Sequence, residues 1–285
     1  MTARKNSERI GVEPQSAAQD VPVAKPNDNF AFVLPTELIR LPSEGRFYEK
    51  GDPLYGKETI EMKQMTAKEE DILTNASFIK EGVVLDRLLS SLILEPGINV
   101  SKMFLGDKNA LLYESRRLGY GPTYNVNAMC GVCLESTVWA YDLGDIEIRS
   151  ASQIEEECGF EFTENGEFII RIESMKADVE LRPLVGADET RLAKILAGKK
   201  KHRLPEEPTV EFLRQIIASV NGNSDPVFIG EFIDVLPINE TKYLKAEYKE
   251  RIPGVRARGE FTCENCGTID EREVPMTHEF FWPKR

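Results

Sequence analysis

Two Cys-x-x-Cys knuckles, Cys130-Gly131-Val132-Cys133 and Cys263-Glu264-Asn265-Cys266, stand 130 residues apart, counting Cys133 to Cys263. Each is flanked on both sides by β-prone sequence. Two residues between thiolates let one tight turn present both sulfurs, and a zinc ion takes four such ligands in a tetrahedron. Compact ribbons separate their knuckles by ~15–20 residues, so the long gap implies an insertion between the two hairpins of one site. A clip across so long a loop constrains the unfolded chain strongly. Cys130, Cys133, Cys263 and Cys266 are therefore expected to hold one structural Zn²⁺ per chain, with no position left for a substrate. The alternatives are redox dithiols, or knuckles that bind separate metals or none. Gly131 and Gly267 are read as the residues that let each knuckle turn tightly. Cys158 stands apart and is expected to be a small buried hydrophobe. His278 lies near the second knuckle but is not needed as a ligand.

The chain has 285 residues, with 48 acidic against 36 basic side chains and a net charge of −12. That balance disfavours gripping a phosphate backbone or an anionic lipid surface. No apolar run reaches the ~18 residues of a membrane span, and no apolar leader opens the sequence, so neither a span nor a secretory signal is expected. An odd cysteine count of five in a chain of this kind favours metal ligands or free thiols over a disulfide framework.

Residues 1–29 are polar, carry Pro14, Pro22 and Pro26, and show no helix or strand period. They are expected to be a disordered tail or an arm that orders on a partner. Leu41-Pro42-Ser43-Glu44-Gly45-Arg46-Phe47-Tyr48 reads as an anchored loop: Pro42 extends it, Gly45 permits a positive φ, and Phe47 and Tyr48 pin it. A strand over 59–62 follows. Thr66-Ala67-Lys68-Glu69 is a capping box opening a helix with Ile72, Leu73, Ala76 and Ile79 on one face and Gly82 at its end. A second helix is expected over 84–94. A third is capped by Asp107, carries Leu111, Leu112, Ser115 and Leu118, ends at Gly119, and has Arg116 and Arg117 facing its dipole. Strands over 124–129 and 137–141 flank the first knuckle. The block 154–254 has strands over 160–162 and 168–172 about an Asn165-Gly166 hairpin turn and a third over 178–181. Helices near 187–196, 209–220 and 240–251 follow. Lys199, Lys200 and Lys201 read as a solvated helix end, the alternative being a patch for phosphate or an acidic partner. Strands over 256–261 and 271–275 flank the second knuckle, and Phe280-Phe281-Trp282 is expected to dock on the domain or on a partner. The expected class is α+β. A helical core over 30–153 plus 255–285 carries a split zinc ribbon, and 154–254 is an inserted α+β domain.

No phosphate-binding glycine loop, nucleophile elbow or His-Glu-x-x-His pattern occurs, and no carboxylate pair is singled out, so no enzyme is expected. The ordered motifs Leu41-Pro42-Ser43-x-Gly45-x-x-Tyr48, Met65-Thr66-Ala67-x-Glu69-Glu70-Asp71-Ile72-Leu73, Arg116-x-x-x-Tyr120-Gly121-x-x-Tyr124, the two cysteine knuckles and Phe280-Phe281-Trp282-Pro283 resemble the T4-like bacteriophage baseplate hub family. The resemblance runs from about Leu34 to the C-terminus. It implies a non-enzymatic structural or assembly component of the central hub of a contractile-tail baseplate. Its partners would be other hub and tail proteins, and its location the virion tail or the host cytoplasm during assembly. The aromatic and loop anchors are expected to suit partner surfaces. The alternative is a zinc-ribbon regulator that binds nucleic acid or transcription machinery. Glu264, Asp270, Glu271 and Glu273 around the second knuckle weigh against it, and Arg256 and Arg258 are its only local basic pair.

Overall fold

The computed structural model describes residues 34–274 and 280–282. The expected tail over 1–29, His278 and Pro283 lie outside the described residues. Strands β1 (Thr36–Arg40) and β2 (Thr59–Lys63) pair antiparallel with Ile39 opposite Ile60. Between them the anchored loop turns at Gly45, whose φ is +70°. A Cβ there would lie 2.2 Å from the Lys57 backbone nitrogen, so only glycine fits.

Helix α1 (Ala67–Thr74) starts at the expected capping box: Thr66 N–H donates to Glu69 Oε2 at 2.9 Å, and Lys68 N–H to Thr66 Oγ1 at 3.3 Å. The helix expected to continue to Gly82 instead breaks at Asn75 and restarts as α2 (Ala76–Glu81). Asn75 adopts an extended conformation and its side chain accepts from Ser77 N–H and Phe78 N–H, capping the second piece. Leu73 is therefore buried while Ile79, on the expected apolar face, is exposed. Helix α3 (Val84–Leu92) buries Val84, Leu88, Leu89 and Leu92 and stops short of 94, because Ile93 turns out to bridge Met62. Helix α4 (Leu105–Tyr120) begins before Asp107, which sits inside its first turn rather than capping it, and ends at Gly121 rather than Gly119.

Strands β3 (Thr123–Met129) and β4 (Ser136–Asp142) form a hairpin with Tyr124 opposite Tyr141 and Val126 opposite Trp139, all four side chains inward. After β5 (Glu147–Arg149) comes α5 (Ala151–Cys158), opened by a capping box of Ser150 and Gln153. Residues 160–162 form no strand. Phe162 N–H donates to Glu155 Oε1 at 2.8 Å, and Phe160, Phe162 and Phe168 gather into one aromatic cluster. Asn165-Gly166 does form a turn, with Gly166 N–H donating to Thr163 O, but no ladder extends from it.

Strands β6 (Phe168–Ile172) and β7 (Ala177–Leu181) pair antiparallel, followed by α6 (Gly186–Lys201) and α7 (Pro208–Ile216). The helix expected over 209–220 ends at Ile216, and β-branched Ile217 and Val220 enter β8 (Ile217–Val220), the third strand on β7. Then come α8 (Pro226–Val235), which the periodicity did not reveal, α9 (Ile238–Arg251), β9 (Gly254–Arg256), β10 (Arg258–Thr262) and β11 (Ile269–Glu273). The class is α+β, in small antiparallel sheets and helices.

Two buried clusters form. The first draws on β1 to β4, α1, α3, α4, β10 and the C-terminal Phe280 and Phe281; the second on α5, β6 to β8 and α7 to α9. Phe47 and Ile252 pack against both. β5 and β9 pair antiparallel, so the chain leaves and re-enters the first cluster side by side. Among the described residues no helix is long and apolar enough to cross a membrane.

Candidate metal centre and the buried motif residues

The β3–β4 hairpin carries Cys130 and Cys133 at its tip, and the β10–β11 hairpin carries Cys263 and Cys266. The two tips are built alike. Cys130 N–H donates to Glu135 O at 2.8 Å and Cys263 N–H to Thr268 O at 2.9 Å. Leu134 N–H donates to Cys130 O at 3.0 Å and Gly267 N–H to Cys263 O at 2.9 Å. The left-handed position after each second cysteine is Leu134, at φ +62°, and Gly267, at φ +73°. Gly267 thus does what the sequence assigned it. Gly131 does not: in the first knuckle a leucine takes the strained position.

The hairpins bring all four sulfurs together, Cys130 Sγ 3.6 Å from Cys266 Sγ and Cys133 Sγ 3.6 Å from Cys263 Sγ. All four lie within 4.8 Å of one another and could hold a metal ion. Cys130 and Cys263 are buried, Cys133 is half-buried and Cys266 exposed. Backbone amides of Cys133 and Val132 lower the Cys130 pKa, and the hydroxyl and amide of Thr268 push Cys266 down to about 6. Such donors favour thiolates at those two positions, whereas at Cys263 the amide of Cys266 is outweighed by burial and the neighbouring thiols, which push its pKa up to about 11. Arg272 joins the two tips: its Nη1 donates to Met129 O at 2.7 Å while its guanidinium lies 4.0 Å from the Phe261 ring centroid. Sequence reasoning missed Arg272, whose partner is 143 residues away. Trp139 meets Phe261 edge-on beneath the site, with centroids 6.0 Å apart. Cys158 lies apart from the four and is exposed, not buried, because it ends α5 on the solvent side.

The remaining motif residues converge inside the first cluster. Asp107 is fully buried and accepts from Ser43 N–H at 2.8 Å, Ser43 Oγ–H at 2.5 Å and Tyr48 O–H at 2.7 Å. Burial pushes its pKa up to about 6 against those hydrogen bonds. Tyr48 in turn accepts from Phe104 N–H, and burial beside Asp107 raises its own pKa. Glu69 is likewise buried and accepts from Thr66 N–H, Lys63 Nζ at 2.9 Å and Ser91 Oγ–H at 2.6 Å. Burial alone would raise its pKa, but the bonds from Ser91, Thr66 and Lys63 outweigh that and hold it at about 2.

Arg116 Nε donates to Phe280 O at 2.7 Å, its Nη1 to Gly121 O at 3.1 Å, and its plane lies over Tyr120. Phe280 stands edge-on to Tyr113 and Tyr124, and Trp282 Nε1 donates to Leu73 O at 2.9 Å. The terminal aromatics therefore dock on their own chain. The loop anchor Tyr48 is buried too, which corrects the expectation that these groups form partner surfaces.

A family model described as T4 bacteriophage base plate protein matches residues 40–282, spanning both knuckles and the block between them. No curated protein and no solved structure matches the chain. The match covers most of the chain, so this protein belongs to the T4 bacteriophage base plate protein family.

Proposed function

We propose that this chain is a structural or assembly component of the central hub of a contractile-tail baseplate, acting by protein–protein binding. The family match over 40–282 carries the reading; the ordered motif set resembling hub proteins narrows it to the hub. Its place would be the virion tail, reached by assembly in the host cytoplasm. A non-enzymatic role is supported by the two strongly shifted carboxyls. Asp107 and Glu69 are fully buried and committed to neighbouring side chains and backbone amides, with no face open to a substrate.

We further read the four-cysteine centre as a structural zinc site of ribbon type. Zn–S bonds of about 2.3 Å set tetrahedral S···S separations of about 3.8 Å, close to the 3.6 Å approaches of these sulfurs. Cys130, Cys133, Cys263 and Cys266 would hold the ion, and four thiolates would close its coordination shell. The domain reading is nested: 154–254 inserted within 30–153 plus 255–285, supported by the two buried clusters and the β5–β9 pairing between them.

Sedimentation and mass spectrometry of purified tails and assembly intermediates test the functional reading. The chain is expected in tails, in intermediates or in both; absence from both overturns it.

A further inference from the structure

A cleft of about 470 Å³ opens where the two buried clusters meet. Its floor is apolar, formed by Phe104, Leu184, Phe212, Tyr248, Ile252 and Val274. Its lining carries five cations, the buried Arg149 together with Lys245, Lys249, Arg256 and Arg258, against one lining carboxylate, Glu273. In a chain of net charge −12 this is a local inversion of sign. Internal pairing leaves part of that charge over. Lys249 and Arg258 both fall on Glu273, and Arg149 and Arg256 both fall on Glu250, with Glu157 also on Arg149. Lys245, exposed on α9, makes no ion pair among the described residues.

An apolar floor inside a cationic rim selects the complementary pattern, a bulky apolar side chain flanked by carboxylates. A cavity of this size takes a short chain segment rather than a globular surface. We propose that the cleft binds an acidic peptide segment of another protein, seating an aromatic side chain on the floor while its Asp and Glu residues lie against Lys245, Lys249 and Arg258. The partner segment gains apolar burial, and the charges fix its register. The inference rests on the reading of the chain as a protein-binding component, and it places one of the docking sites.

The test is fluorescence anisotropy on the full chain with a labelled peptide carrying a central Phe among Asp and Glu residues. Saturable binding is expected, weakened about tenfold or more in a Lys245→Glu, Arg258→Glu variant and by raised salt. Lys242→Glu, on the same helix but outside the cleft, should leave affinity unchanged. Melting temperatures verify that the variants are folded. The proposal is overturned if a peptide with Lys and Arg in place of the acids binds equally well, or if Gly in place of Phe costs nothing. It is also overturned if the double variant binds like the parent, or if single-stranded DNA or citrate displaces the peptide as effectively as unlabelled peptide does. Failure here, with the chain still found in tail fractions, would move the docking site elsewhere and leave the baseplate reading standing.

Discussion

Two buried carboxylates show how the motif residues act, and they respond to pH with opposite signs. Glu69 has a folded pKa of about 2 against an ordinary 4.5. Its stabilisation is present above the unfolded value and is lost as pH falls from about 4.5 towards 2. Asp107, raised from 3.8 to about 6, favours the fold most below its unfolded value and loses that contribution as pH rises through 6. Glu69→Gln should therefore flatten the acid limb of stability relative to the parent, read by urea titrations between pH 5 and 2; parallel limbs would contradict it. Asp107→Ala strands the Ser43 amide, the Ser43 hydroxyl and the Tyr48 hydroxyl without their acceptor. A loss of about 3 kcal/mol is expected by denaturant titration. Sequence showed only part of these roles. Asp107 looks like a helix cap because its partners lie 59 and 64 residues away. For Glu69 only the capping half, three residues from Thr66, is local.

At the scale of elements, local patterns located most helices and strands, and long-range partners decided their ends. The Thr66 capping box and the β-prone flanks of both knuckles were readable because their determinants lie within a few residues. The break at Asn75 turns on one side chain outcompeting a helical carbonyl. The switch of Ile217 and Val220 from helix to strand turns on pairing with β7, which no window over 209–220 contains. The first knuckle shows the same limit. Its glycine, Gly131, drew attention, yet the left-handed residue is Leu134, exposed at 70%. Leu134→Gly should relieve that backbone strain and raise stability by about 0.5–1 kcal/mol, measured as a higher melting temperature. A lower melting temperature would show that the leucine side chain is itself stabilising.

Across the whole molecule, the cysteine spacing proved the most informative feature, since it named four side chains that the fold brings within 4.8 Å although the two knuckles stand 130 residues apart. It could not foretell that the terminal aromatics close on the same cluster through Arg116 and Leu73. The nested reading makes a spatial prediction. Removal of metal by a chelator should speed amide hydrogen exchange in the β3–β4 and β10–β11 hairpins, while β6 to β8 in the second cluster keep their protection. Uniform loss of protection would instead mark one cooperative unit.

One zinc ion is proposed to join the two distant knuckles, and native mass spectrometry of the purified chain, with elemental analysis, measures its presence. One zinc per chain is expected in the parent, none in Cys263→Ser, with a lowered melting temperature in that variant. A metal-free parent, or a Cys263→Ser variant that melts at the parent's temperature, would contradict it.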